Sequence, residues 1–139
     1  MGATLHVIAE YLSDENRWIP TACQNVEVLQ TNDQIVCSEA FIWRDYYVFN
    51  TLAGIRPEEN KAKLIAPVRG LPPYLHQWAR NTFNREKYHH LSWLLFSEIH
   101  LRASNDAEFD ASHFMKWIRY VQEPHINTRN QRVVFGFDN

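Results

Sequence analysis

Residues 3–12 alternate with a period of two. Ala3, Leu5, Val7, Ala9 and Tyr11 fall on one side of an extended chain, and Thr4, His6, Ile8 and Glu10 on the other. Successive side chains of a strand leave on opposite faces, so this pattern predicts a β-strand. The apolar face requires cover. The second face sets an imidazole between a hydroxyl and a carboxylate, which makes it the face to watch for chemistry.

The rest of the chain has to pair with that strand and cover it. Short strands are expected over residues 26–29 and 35–42, the latter apolar and β-branched at intervals. Asp45 has the chemistry of a helix N-cap for residues 46–53, and Gly54 stops that helix because it accepts left-handed backbone without steric penalty. Residues 57–63 read as a charged surface loop. Pro72 and Pro73 suit the first turn of a helix through about residue 82, with Leu75, Trp78, Ala79 and Thr82 on its inner face. A strand follows over 88–95, then a short helix capped by Ser97. Asp110 or Ser112 opens the clearest helix, with Phe114, Trp117, Ile118 and Val121 on one stripe and Pro124 beyond its end. A turn over residues 127–130 leads to a closing strand over 132–137. Strands and helices interleaved in this way predict one domain, 1–139, of α+β or α/β class. Its mixed sheet has four to five strands and its helices number three to four.

Composition narrows the partners. The 139-residue chain has a net charge of −2, so no global basic field draws it to nucleic-acid polymer or to an acidic membrane surface. No apolar stretch approaches the roughly 20 residues of a membrane span, and the start lacks a signal-peptide pattern. A cytoplasmic location is the expectation, with Cys23 and Cys37 as buried thiols, since their spacing matches no metal or redox motif. Aromatic residues reach 14 %, including five tryptophans, enough to build a core and line a recognition surface as well.

Any anion site must therefore be local, and residues 66–93 are where it is expected. They combine prolines, a glycine, arginines, histidines and tryptophans around one short amphipathic segment. Arg69, on a loop stiffened by Pro67 and Pro72 and turned by Gly70, suits bidentate contact with phosphate or carboxylate; equally, it suits pinning its own loop to carbonyls. Arg44 and Tyr46 flank Asp45 at a helix start, able to meet a ligand by charge and stacking, against the alternative of an Arg44–Asp45 surface pair. His89, His90 and Ser92 form the densest polar cluster. On a regular strand His90 and Ser92 share a face, while His89 lies with Leu91 and Trp93 on the other. No Gly-x-Ser-x-Gly elbow accompanies Ser92, so a hydrogen-bonding histidine is favoured over a nucleophilic serine. Trp93 and Trp43 stand beside candidate cations or histidines and could stack on a base, whereas Trp78 belongs to a core face. His6 with Glu10 permits acid–base chemistry if both line a pocket, although a lone strand histidine is more often structural. Zinc would need His6, His89 and His90 to converge, and no local ligand spacing supports it. No cofactor or metal is expected.

Six pieces in order, Met1-Gly2-Ala3-Thr4-Leu5-His6, Arg44-Asp45-Tyr46, Ala53-Gly54-Ile55-Arg56, Pro67-Val68-Arg69-Gly70-Leu71-Pro72, His89-His90-Leu91-Ser92-Trp93-Leu94 and Phe137-Asp138-Asn139, resemble a family of small bacteriophage and prophage proteins. That family opens Met-Gly-Cys-Asp-Ile-His and carries an Arg-Asn-Tyr helix, a Pro-Arg-Gly-Leu-Pro loop and a Phe-Asp-Asn end. The resemblance implies a phage origin and a shared fold, and brings no activity with it. Thr4 stands where the family has an aspartate, which removes the carboxylate that a hard cation prefers and weakens metal-dependent hydrolysis.

The resulting expectation is a phage accessory protein. It would bind a small nucleotide-like or phosphorylated molecule through His6, Arg44, Tyr46, Arg69, His89, Ser92 and Trp93, and so sequester a host anti-phage defence signal. Two other readings stand beside it: a phosphodiesterase or related hydrolase using His6, Glu10 and His89, and an inhibitor that binds a host protein. Self-association is compatible with each.

Overall fold

A computed structural model describes residues 3–21, 39–56, 62–122 and 126–138. The elements in order are β1 (Thr4–Leu12), β2 (Trp18–Pro20), β3 (Glu39–Trp43), α1 (Tyr46–Ala53), α2 (Gln77–Phe83), β4 (Tyr88–Leu95), α3 (Phe96–Asn105), α4 (Ala107–Asp110), α5 (His113–Val121), a 3-10 turn (Thr128–Asn130) and β5 (Gln131–Asp138). The expected strand over 26–29, the first half of that over 35–42, residues 57–61 of the expected charged loop, both cysteines and Pro124 lie outside the described residues.

The fold class is α+β. Every pairing among the described strands is antiparallel, where a mixed sheet was expected. β1 lies inside the sheet: β5 pairs along its whole length on one side, while β3 and β2 share its other edge. β4 then pairs with β5. The two central strands are thus the first and last of the chain. Parallel neighbours would each need a crossover connection; here β4 returns to β5 through the helices α3 to α5 as an antiparallel partner.

Register sorts the side chains into two layers. Leu5, Val7 and Ala9 of β1 align with Phe137, Phe135 and Val133 of β5, and Ile42 and Ala40 of β3 extend the same face. The helices α1, α3, α4 and α5 cover it through Phe49, Leu52, Phe96, Ile99, Phe109, Phe114 and Ile118. Truncating any one of these buried phenylalanines to alanine would cost about 3–5 kcal/mol, lost transfer energy and cavity together. The opposite face holds Ile8, Val134, Tyr88 and Trp93 under α2 and the loop before it, with Ala79 and Phe83 inserted.

Local chemistry explains most element ends. The Asp45 carboxylate accepts from Val48 N–H at 3.3 Å, and Gly54 (φ 66) closes α1 by donating to Asn50 at 3.0 Å. Ser112 caps α5 through Met115 N–H at 3.2 Å, while Asp110 ends the short α4. Two expectations shift. α2 begins at Gln77, well after Pro72 and Pro73, because the ring nitrogen of His76 accepts from Trp78 N–H at 3.1 Å and sets the first turn there. α3 begins at Phe96, ahead of Ser97, because Glu98 reaches back to Leu95 N–H at 2.9 Å.

Candidate functional site

The polar face foreseen from β1 is real and has two ends. At one end Glu10 (0 % exposed) and Arg132 (4 %) form a buried ion pair, Nη2 to Oε1 at 2.8 Å and Nε to Oε1 at 2.9 Å. The other Glu10 oxygen accepts from His76 N–H at 3.1 Å, Arg132 donates to the carbonyl of Tyr74, and its guanidinium lies 4.0 Å from the Trp18 ring centre. Burial pulls the Arg132 pKa down from the ordinary arginine value, and the Glu10 charge opposes that fall. The network is internally satisfied and ties the α2 layer to the sheet, which commits Glu10 to structure.

Toward the other end His6 sits opposite Phe41 and Gly136. Its Nδ1 meets the Tyr88 hydroxyl at 2.6 Å, and its Nε2 meets a Glu39 carboxylate oxygen. The rings of Phe41 (4.0 Å), Phe83 (5.3 Å) and Tyr88 (5.5 Å) enclose the imidazole. Strands β3, β1 and β4 thus contribute a carboxylate–imidazole–phenol chain of hydrogen bonds. Burial raises the Tyr88 phenol above its ordinary pKa, and Lys87 pulls the other way. Gly136 provides the room: a Cβ there would stand 2.7 Å from Leu91 Cδ2 and 3.4 Å from Phe83 and Tyr88 side-chain atoms.

Beyond this chain lies the sheet rim. Trp43, Thr4, Asp138 and Tyr88 align across four strands on the polar face, at roughly 4.8 Å per strand. Trp43 is 68 % exposed. Arg44 beside it is exposed and held at φ 49, its N–H donating to Ala3 at 3.3 Å. Lys87 pairs with Asp138 at 3.4 Å and lies 5.0 Å from the Tyr88 ring centre. An exposed indole and two exposed cations, Lys87 already paired with Asp138, therefore share one rim, and the Tyr88 phenol is turned inward to His6.

The other expected residues separate into groups. Arg69 binds Glu98 bidentately, Nη1 to Oε1 at 2.8 Å and Nη2 to Oε2 at 2.6 Å, and donates to the Trp93 carbonyl at 3.1 Å. Its guanidinium lies 4.4 Å from the Trp93 ring centre, and its own N–H donates to Ser92 Oγ at 2.8 Å. The hydrogen bond to Glu98 raises the Arg69 pKa and, reciprocally, holds Glu98 below the ordinary carboxylate range. Arg69, Ser92 and Trp93 do meet, as a clamp fixing the loop to β4 and α3. Ser92 is buried within it, where exposed chemistry was expected. Tyr46 accepts from Ala3 N–H at 3.1 Å, and Arg56 covers its ring at 4.3 Å, so its stacking surface is already used.

The face assignment in β4 also changes. A bulge between His89 and Ser92 sets His90 and Leu91 against Gly136 alone, with His90 at φ 52. The extra residue reverses the alternation, so His89 and Ser92 fall on the helix-covered face and Trp93 on the polar face. His6 and His89 pair with Gly136 and Phe137, which face opposite ways, so His6, Glu10 and His89 do not converge. Glu39 and Tyr88 are the site residues that sequence reasoning missed. Neither carries a local motif, and only strand register brings them to His6.

No protein-family model matches the chain, and neither a curated protein sequence nor a solved structure is significantly similar to it. Among the described residues, no group of three or more His, Cys, Asp or Glu side chains is placed to hold a metal ion, and no helix is long and apolar enough to cross a membrane.

Proposed function

We propose that the chain is a bacteriophage accessory protein of the host cytoplasm that binds a small nucleotide-like or phosphorylated molecule at the rim of the polar sheet face, sequestering a host defence signal. The observation that carries this reading is the exposed Trp43 ring beside the exposed Arg44 cation at the rim of the polar face. A flat ring stacks on Trp43, since base–aromatic stacking contributes about 1–3 kcal/mol. Phosphate oxygens meet Arg44 and Lys87, and the Thr4 hydroxyl serves polar groups of the ligand. The order of six phage-like motifs supports the origin, and the net charge of −2 argues for a small anion over a nucleic-acid polymer.

Calorimetry and thermal shift with cyclic dinucleotides, ADP-ribose derivatives and common nucleotides test the reading. Binding of one class at one site per chain supports it; no heat and no shift with any of them ends it. Native mass spectrometry of freshly purified protein reports retained ligand and self-association together.

Hydrolysis is the second reading, and the Glu39–His6–Tyr88 chain favours it, because a half-buried carboxylate and a buried imidazole can move a proton to or from the Tyr88 phenol. Recovery of intact ligand after long incubation counts against it. Product that disappears with Tyr88→Phe supports it.

A further inference from the structure

The loop over residues 70–76 is held to the sheet by buried charge. Arg132 donates to the Tyr74 carbonyl, Glu10 accepts from His76 N–H at 3.1 Å, and Arg80 Nη2 lies 3.4 Å from the Pro73 carbonyl. Backbone groups of a surface loop are ordinarily served by water. Here an ion pair taken out of water, with the desolvation cost that carries, is committed to two of them. Pro72 and Pro73 fix two further backbone angles. The result is a rigid backbone at the Glu10 end of the polar face.

That backbone displays a bare aromatic ring. Tyr74 is 79 % exposed, and among the described residues its side chain makes no hydrogen bond or ring contact. Pro73 beside it is exposed, and Gln77, Arg80 and Asn81 continue the exposed surface along α2 at helical spacing. The Arg132 guanidinium that holds Tyr74 also lies 4.0 Å from the centre of the half-buried Trp18 ring, so a second aromatic borders the patch. Tyrosine, tryptophan and arginine supply most of the binding energy at protein interfaces, where lysine and carboxylates are scarce. Residues 70–85 hold no carboxylate, and the exposed Arg80 and Arg85 make the stretch positive in a chain of net charge −2.

We propose that this ridge docks an acidic peptide segment of a partner protein, an apolar side chain of the segment packing on Tyr74 and its carboxylates meeting Arg80 and Arg85. A ridge fixed before contact loses little further freedom on binding, which is the advantage of preorganisation. Opposite charge selects the acidic partner and speeds encounter. Nucleic-acid polymer fits less well, since two arginines neutralise few phosphates and Pro73 offers no flat face to a base. The surface is also distinct from the rim around Trp43: Glu10 and Thr4 stand roughly 20 Å apart along β1, at about 3.4 Å per residue.

A random peptide library displayed on yeast and panned against the purified chain tests this, with enriched peptides synthesised and titrated by calorimetry. The expected peptides carry Asp or Glu flanking an apolar residue, bind one per chain and weaken as salt rises. Tyr74→Ala and Arg80→Glu should each weaken them at least tenfold, while Leu101→Ala, at an exposed apolar residue of α3, leaves them unchanged. All three side chains are exposed, so matching melting temperatures keep loss of binding separate from loss of fold. No enrichment, peptides that lack acidic residues, or peptides that bind Tyr74→Ala as well as the parent overturn the proposal. So does a thymidine oligonucleotide that binds more tightly at the same residues, or a dimer of the chain that Tyr74→Ala dissolves.

Discussion

Glu10 and Arg132 lie 122 residues apart in the chain and face each other across β1 and β5 as a buried ion pair. Removing one partner strands the other charge away from water. Arg132→Ala is expected to lower stability by about 3–5 kcal/mol in chemical denaturation, whereas an apolar pair of similar volume, Glu10→Leu with Arg132→Met, costs much less. A double-variant loss equal to the sum of the Glu10→Leu and Arg132→Met single losses would show that the pair contributes no coupling.

Tyr88→Phe deletes one hydroxyl and leaves His6 Nδ1 buried without its partner. A loss of about 1–3 kcal/mol is expected, the cost of an unsatisfied buried polar group, measured by thermal or urea unfolding. A variant as stable as the parent would show that the hydroxyl contributes nothing to the fold.

Gly136→Ala puts a methyl group against Leu91, Phe83 and Tyr88 directly across from His6. Leu91 can yield at its flexible end, so the expected cost is about 1 kcal/mol, with perturbed aromatic resonances around His6. An unshifted melting temperature and spectrum would sink this account of the glycine.

His90→Gly is expected to act in the opposite sense. Glycine adopts φ 52 without the steric cost that a Cβ carries, so the variant gains up to about 1 kcal/mol in stability although it gives up the contact with His89. Denaturant midpoints compare the two directly.

The Arg69–Glu98 pair predicts an acid response. The hydrogen bond to Arg69 holds the Glu98 pKa below its unfolded value, so the contribution is present above the ordinary carboxylate range and is lost as pH falls through the folded pKa. Both side chains are more than a quarter exposed, which limits the effect to about 0.5–1 kcal/mol. The stability gap between wild type and Glu98→Gln should be present at pH 7 and close below about pH 4. A pH-independent gap would refute the pairing.

How far the chain could be read differs by type of signal. Residues 3–12 announced a strand with a polar second face, and Asp45, Gly54 and Ser112 announced their helix ends, because each signal is written within a few residues. The prolines misplaced the start of α2 because both the competing cap, His76, and the Glu10 oxygen that binds its N–H were invisible as such. The His90–Ser92 face assignment failed for a related reason: one bulged residue reverses the parity of everything after it, and the bulge answers to Gly136 on another strand.

Local periodicity and capping chemistry determined the element types and the existence of a polar face around His6, while the choice of α+β over α/β came with the antiparallel pairing of the strands. Tertiary structure alone decided that Glu39 and Tyr88 complete a chain through His6, that Arg69 is spent on Glu98 and Trp93, and that His89 and His90 meet. Those outcomes depend on register between strands far apart in sequence. A shift of one residue moves every side chain to the opposite face, and no short-range pattern encodes that choice.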